Sequence, residues 1–428
     1  MNDAGMNAFG KRNGVAYGLL GLPLAFVALP LYVILPNHYA KAFGVPLATL
    51  GAILLGARLF DAFIDPLLGR LSDRLFSRSA NAVLQAGALS AVVLAIGFAL
   101  LFFPQVASPG ALVVWASVML VVTYAAYSFL SVAHQSWGAM LGGNEAERSR
   151  IVAWREALGL VGVVTASVAP VALGLPATTA LFFVALVIGW LAWTRAVQPT
   201  SKAAAAVDKK AMWQPFRHSN FKRLLLVFML NGIASAVPAT LVLFFIQDRL
   251  QAPSSMEPLF LGSYFLTAAL SIPLWLAVVK RIGLAKTWLI GMGLSIAVFA
   301  WATQVGAGQT IAFLIITSLS GIALGTDLTL PGALLAGAIQ GNGDSGKSEG
   351  SYFGWWNFAT KLNLALAAGL ALPLLALFGY SPGARGPEAL NALVIAYCVL
   401  PCLLKLAAAA ALYFFIIQPG RQALKVAV

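Results

Sequence analysis

Charge is what this sequence has least of. Lys, Arg, Asp and Glu make up 10% of its 428 residues, against roughly 25% in a soluble domain. So few charges cannot coat a water-facing surface. With 60% apolar residues and a mean hydropathy of +0.87, most of the surface must face lipid, where backbone polar groups are satisfied internally. Period-two alternation is also missing, which excludes a β-barrel and leaves helices as the spans. Cysteine is confined to Cys398 and Cys402, one helical turn apart around Pro401. That pair excludes a disulfide framework and makes a poor metal site, so the two thiols read as packing residues on a kinked turn. The three histidines, His38, His134 and His218, fall in separate stretches. They form no metal-ligand spacing and no nucleophile–base set, so the chain reads as neither an enzyme nor a metal or cofactor protein. The net charge of +13 sits in short loops, which speaks for membrane topology rather than nucleic-acid binding.

Apolar runs predict an all-α polytopic membrane protein of about twelve transmembrane helices. The expected spans are 14–36, 47–69, 80–103, 111–141, 150–173, 177–196, 220–247, 258–279, 284–304, 309–338, 350–379 and 388–417, each long enough for a hydrocarbon core of about 30 Å. Of the 27 Lys and Arg, only Lys41, Arg249 and Arg385 fall in loops on the far side, and Arg58, Lys361 and Lys405 fall within spans. The rest lie on the side of the N-terminus, which predicts both termini in the cytoplasm of a bacterial inner membrane. The polar N-terminus carries Lys11 and Arg12 and leads into a run too long for a signal sequence, so no cleavage is expected. The longest polar stretch, 197–219, divides the spans into six and six. Two six-helix bundles, 1–196 and 220–428, joined by a cytoplasmic linker, are therefore expected.

Ionisable groups inside spans are costly and mark functional candidates. The densest cluster is GARLFDAFIDPLLG in the second span, where spacings of three and four residues set Arg58, Asp61 and Asp65 on one helical face. Two carboxylates one turn apart repel when both are ionised, so the trio is poised to take up a cation, H⁺ or Na⁺. A static Arg–Asp pair bracing the helix is the competing reading. Lys361 lies mid-span in WWNFATKLNLALAAG, and Asp327 in GTDLTLPGALLAG lacks a local partner, for which Lys361 is the expected long-range candidate. Lys405 is expected to snorkel or pack its stem. Arg155 and Glu156, with Glu147, Arg148 and Arg150, are expected to form a gate or surface network. Tyr124, Tyr127, His134, Gln135 and Trp137 in the fourth span, Asn231 in the seventh, and Trp355, Trp356 and Asn357 in the eleventh are candidates for lining a cavity for a polyhydroxyl ligand. Ordinary interface packing is the alternative for each aromatic.

After the second span, GRLSDRLFSR supplies Gly69 for close helix approach, Asp73 to meet the positive end of a helix dipole or an arginine, and Arg74 and Arg78 facing the cytoplasm. It resembles the G-x-x-x-D-R loop of the major facilitator superfamily. RLFDAFIDPLLG, GNEAERSRIVAWREALGLVG and SEGSYFGWWNFATKLNLALAAG are similar, in that order, to segments of helices two, five and eleven of the glycoside–pentoside–hexuronide:cation symporters. The resemblance implies two six-helix bundles working by alternating access. It makes Asp61 and Asp65 the cation ligands, with Arg58 matching the arginine before them and Lys361 the helix-eleven lysine. A galactoside-carrying member of the family also has acids in helices one and four. Here the nearest equivalents are about Ala25 and Ser128, which argues against galactosides as solutes.

The expectation is a cation-coupled symporter of a small polar solute, such as a sugar or glycoside, working in the bilayer as a monomer with no nucleic-acid partner. Solute-binding candidates are Lys361, Asp327, Tyr124, Ser128, His134, Trp137, Asn231, Trp356 and Asn357. Gating candidates are Gly69, Asp73, Arg74, Arg148, Arg155 and Glu156. A carrier or exchanger of an anionic or lipid-like substrate held by Lys361 is the alternative, and a non-transporting membrane sensor a more distant one.

Overall fold

The computed structural model describes residues 9–199, 211–381 and 383–419, so residues 200–210 of the expected linker and the final positive charges, Arg421 and Lys425, lie outside the described residues. The helices are α1 (Lys11–Gly18), α2 (Gly21–Leu29), α3 (Leu35–Phe43), α4 (Leu47–Arg78), α5 (Ala80–Phe102), α6 (Pro109–Met140), α7 (Glu145–Thr194), α8 (Ser219–Phe244), α9 (Glu257–Ile282), α10 (Leu284–Ala302), α11 (Thr310–Gly341), α12 (Glu349–Leu377), α13 (Pro387–Val394) and α14 (Leu400–Leu412). No strand occurs among the described residues. Among the described residues, ten stretches are, by length and composition, apolar enough to cross a membrane. The other two expected spans are α4 and α12, of 32 and 29 residues, which carry the in-span charges Arg58, Asp61, Asp65 and Lys361. Large side chains such as Leu89, Leu270 and Ile311 stand exposed, as lipid permits and water penalises.

Local sequence explains where helices begin, bend and stop. Asn144 opens α7 with a capping box: its side chain accepts from the Glu147 N–H at 3.0 Å while the Glu147 carboxylate accepts from the Asn144 N–H at 3.2 Å. The fifth and sixth expected spans join within this 50-residue element, whose one non-helical residue is Gly174 at φ 80°. A residue with a Cβ would be strained there. Proline widens other helices. Pro401 has no N–H to give the carbonyl four residues back, at Tyr397, and the backbone over Ile395–Val399 forms a π-helical turn.

The chain packs as two compact units. One comprises residues 1–217 with 336–358, and the other 218–335 with 359–428. The first unit thus includes the end of α11 and the start of α12, which the boundaries drawn at the linker assign to the second. Its core packs Phe182 against Phe98 at 4.6 Å and Phe26 at 5.6 Å, and Trp137 against Trp193 at 5.2 Å. The core of the second unit stacks Tyr397 on Phe245 at 4.3 Å and Phe245 on Phe313 at 5.5 Å.

Candidate functional site

In the first unit, α2 and α7 approach backbone to backbone. A Cβ on Gly162 would lie 2.1 Å from the Leu22 carbonyl oxygen, and one on Gly21 would lie 2.6 Å from that of Arg155. This close crossing sets the Arg155–Glu156 pair beside Ala25 of α2. Across from it stand Tyr127, Ser131, His134 and Gln135 of α6, and together these groups line a cavity of about 150 Å³.

The polar groups of the cavity are fixed by their neighbours. The Arg155 Nε and Nη2 both donate to Glu156 Oε1, the former at 3.0 Å. Adjacent helical residues do not normally face each other, so this pairing turns both side chains to the same place. His134 Nε2 lies 2.8 Å from the Tyr17 carbonyl oxygen, and the Tyr17 hydroxyl donates to the His134 carbonyl oxygen at 3.0 Å. A carbonyl can only accept, so Nε2 carries the proton and Nδ1 is an acceptor. Nδ1 is buried and meets no partner among the described residues. Gln135 Nε2 donates to Ser131 Oγ at 3.1 Å. The wall therefore offers amide and hydroxyl groups and a neutralised ion pair, with the fully buried His134 ring behind them, which is a surface for hydroxyls rather than for net charge.

A second polar centre lies between α4 and α6. Asp61 and Asp65 are 1% and 0% exposed, and Ser128 Oγ donates to Asp61 Oδ1 at 2.6 Å. The position that departs from the family's helix-four acid thus supplies a hydroxyl to the first helix-two acid. Arg58, one turn earlier, is exposed, so the shared face is not uniformly buried.

At the far end of α4, the helix crosses the first turn of α12 within the same unit. A Cβ on Gly69 would meet the Gly350 carbonyl oxygen at 2.1 Å, and one on Gly354 the Asp65 carbonyl oxygen at 2.6 Å. Beyond this crossing Asp73 accepts from the Gly350 N–H at 2.6 Å, the Ser351 N–H at 2.8 Å and the Ser351 hydroxyl at 2.6 Å. It caps the positive end of α12. Burial pushes the Asp73 carboxyl up to about 8 and Glu349 up to about 6, and Glu349 raises Asp73 further while the Ser351 hydrogen bonds oppose the rise. A carboxyl raised on folding contributes stability below its unfolded value, near 4, and loses that contribution as pH rises through the folded value. Melting temperature is therefore expected to fall as pH rises from 5 to 9. Asp73→Asn should flatten that dependence, by about 2 °C or more across the range, in nanoDSF of purified protein. An unchanged slope in the variant would exclude Asp73 as its source.

Other expected residues fall elsewhere. Arg148 donates to the Gly143 carbonyl at 2.9 Å and to Gln340 Oε1 at 2.7 Å, away from the cavity wall, and Arg74 is exposed. Trp137 is fully buried in the core, its indole N–H donating to the Val197 carbonyl at 2.9 Å, and it does not line the cavity. Tyr124 and Trp356 are buried, Asn357 is half-buried, and none of the three lines it either. Trp355 donates to the Met212 carbonyl at 2.8 Å and packs at a tilt against Trp213, ring centroids 4.8 Å apart.

In the second unit, Asn231 is buried with its Oδ1 unmatched among the described residues, and Lys361 is half-buried. The expected Asp327–Lys361 partnership is replaced: Asp327 pairs with Lys405 at 2.8 Å. Lys405 is 5% exposed and does not snorkel. Its amine turns inward because Asp327 and Ser235 together satisfy a buried cation, with Ser235 Oγ 2.8 Å away. The sequence signal was available, since Lys405 is an in-span charge like Asp327, but the long separation hid the pairing.

Two helical units of this design, with buried acids inside their membrane helices, define a secondary transporter of the major facilitator type. The profile of the family described as MFS/sugar transport protein matches residues 14–418, and the chain belongs to that family. It is 26% identical over 396 residues to the uncharacterized symporter YjmB of Bacillus subtilis (strain 168), covering 87% of this chain and 84% of that one. It is 25% identical over 159 residues to the putative glycoside/cation symporter YagG of Escherichia coli (strain K12), covering 37% and 34%. Among solved structures it resembles the E. coli fucose:proton symporter FucP, with a TM-score of 0.71 at 14% identity over 95% of this chain and 99% of that one. It also resembles a bacterial homologue of the iron transporter ferroportin in its outward-facing state, at 0.70 and 14% over 94% and 97%. The protein is a multi-pass membrane transporter of a small molecule and not an enzyme.

Proposed function

We propose that the chain is a proton-coupled symporter of a neutral sugar or glycoside, with both termini in the cytoplasm of a bacterial inner membrane. The solute occupies the cavity of α2, α6 and α7, and Asp61 with Asp65 takes the coupling ion. The observation that carries this reading is the cavity's polar set: the Gln135 amide and Ser131 hydroxyl beside an Arg155–Glu156 pair that already neutralises itself. A hydroxylated neutral ligand keeps that balance, whereas an anion or cation would leave an uncompensated charge in a poorly solvated place. The names of two relatives, a symporter and a putative glycoside/cation symporter, point the same way. Ser128 gives Asp61 a neutral oxygen where the family resemblance has a carboxylate. The reduced negative charge favours a proton over Na⁺.

The test is uptake into proteoliposomes of labelled hexoses, methyl glycosides and glucuronides under an imposed pH or Na⁺ gradient. Saturable, pH-gradient-driven accumulation of a neutral member is expected, and galactosides are expected to be excluded because Ala25 lacks an acid. Accumulation restricted to glucuronides would overturn the neutral-solute reading and favour an anion carrier using Lys361. Drive by Na⁺ alone would overturn the choice of ion.

A further inference from the structure

The second unit holds a cavity that the sugar reading does not use. It encloses about 210 Å³ between α8, α9, α10, α11 and α14, a volume below the roughly 300–1,000 Å³ of drug-sized sites. Its walls are aromatic and apolar, with Tyr264, Phe265, Phe299 and Tyr397 among them, and one part of the lining is the Asp327–Lys405 pair. Trp288 donates to Asp327 Oδ1 at 2.8 Å, Ser235 to Oδ2 at 3.3 Å and Lys405 to Oδ2 at 2.8 Å. The carboxylate is thus well supplied. Lys405 spends two of its three N–H donors, on Asp327 and Ser235, and the third has no partner among the described residues. A buried ammonium with an unspent donor on the lining of an aromatic cavity is a recognition element, because an unmatched buried donor is costly.

We propose that this cavity is a binding site for a small uncharged aromatic molecule bearing one hydroxyl or ether oxygen, of the size of an aryl alcohol. The ring stacks on the aromatic wall. The oxygen accepts the remaining Lys405 hydrogen. Charge balance selects against ions: the Asp327–Lys405 pair is already neutral, so a carboxylate or amine on the ligand would bury a net charge. The site is distinct from the α2–α6–α7 cavity, and its occupancy is read by different probes.

The experiment measures binding of 2-phenylethanol, toluene and phenylacetate to the full chain in nanodiscs. Trp288 fluorescence is one readout, with Trp288→Phe as its control. The other is the rate of maleimide labelling at Cys402, which lines the cavity while Cys398 is fully buried. Saturable 2-phenylethanol binding that slows Cys402 labelling is expected, with phenylacetate at least tenfold weaker. Asp327→Asn combined with Lys405→Met removes both charges together and so avoids a stranded ion. It should weaken 2-phenylethanol about tenfold and leave toluene unchanged. Ser320→Phe, which fills the cavity, should abolish all binding. The proposal is overturned if 2-phenylethanol does not saturate, if phenylacetate binds more tightly, or if the double variant keeps wild-type affinity. Failure of glycoside uptake leaves these readouts untouched.

Discussion

Proteoliposomes carrying Asp61→Asn or Asp65→Asn are expected to lose gradient-driven accumulation of the solute that the wild type concentrates most, while the protein stays folded. Both acids are buried, at 1% and 0% exposure, where two ionised carboxylates one turn apart are costly and a bound cation removes the cost. Cation occupancy then decides which conformation of the carrier is favoured. Asparagine keeps the size, and at position 61 it keeps an oxygen to accept from Ser128, but it cannot be neutralised because it is already neutral. The solute ratio across the membrane should therefore fall to near unity. Downhill exchange persists, since it does not require return of the empty carrier. If both variants concentrate solute as the wild type does, the acids are structural and the coupling model fails.

Replacement of Arg155 by glutamine should act on affinity instead. Charge-assisted hydrogen bonds contribute about 1.5–3 kcal/mol each, so the loss corresponds to roughly 10–100-fold in apparent Kd for the same solute. The single variant also leaves the Glu156 carboxylate on the cavity wall without its guanidinium, and a drop in melting temperature is expected with it. Arg155→Gln with Glu156→Gln removes both charges and should recover the melting temperature while affinity stays low. That split separates a solute-binding role from a purely structural one. Equal recovery of affinity and stability in the double variant would count against solute contact.

Much of the architecture was legible because lipid is an unforgiving solvent. Apolar runs located the helices, and ten of them satisfy length and composition alone. The Gly69 and Asp73 motif was legible as a close helix approach and a partner for a helix dipole, but not the helix it meets, since Gly350 lies 277 residues from Asp73. The cavity was read only in part. His134 and Gln135 were recognisable as polar groups in a span. Arg155 and Glu156 were read as a gate or surface network, because their position near a span end says nothing of the α2–α7 crossing that turns them onto a cavity. Trp137 was read as a cavity residue or as packing, since an indole suits a sugar face and a packed core equally, and its bond to the Val197 carbonyl sets it in the core. Asp327 and Lys405 are 78 residues apart, and no periodicity reports a contact at that range.

The π-helical turn at Ile395–Val399 has a consequence for how this chain tolerates insertions and deletions. A π turn closes each hydrogen bond one residue later than an α turn, so the segment between α13 and α14 holds one residue that an uninterrupted α-helix would not need. Deleting one residue there can be absorbed by restoring α-helical bonding, whereas the same deletion inside α5 has no surplus to draw on. The absorbed deletion would leave the helix on either side in its former orientation but shift Tyr397, which lies within the turn, relative to Lys405. Chain length at this turn therefore sets how the aromatic wall is aligned with the ion pair, independently of which side chains occupy either.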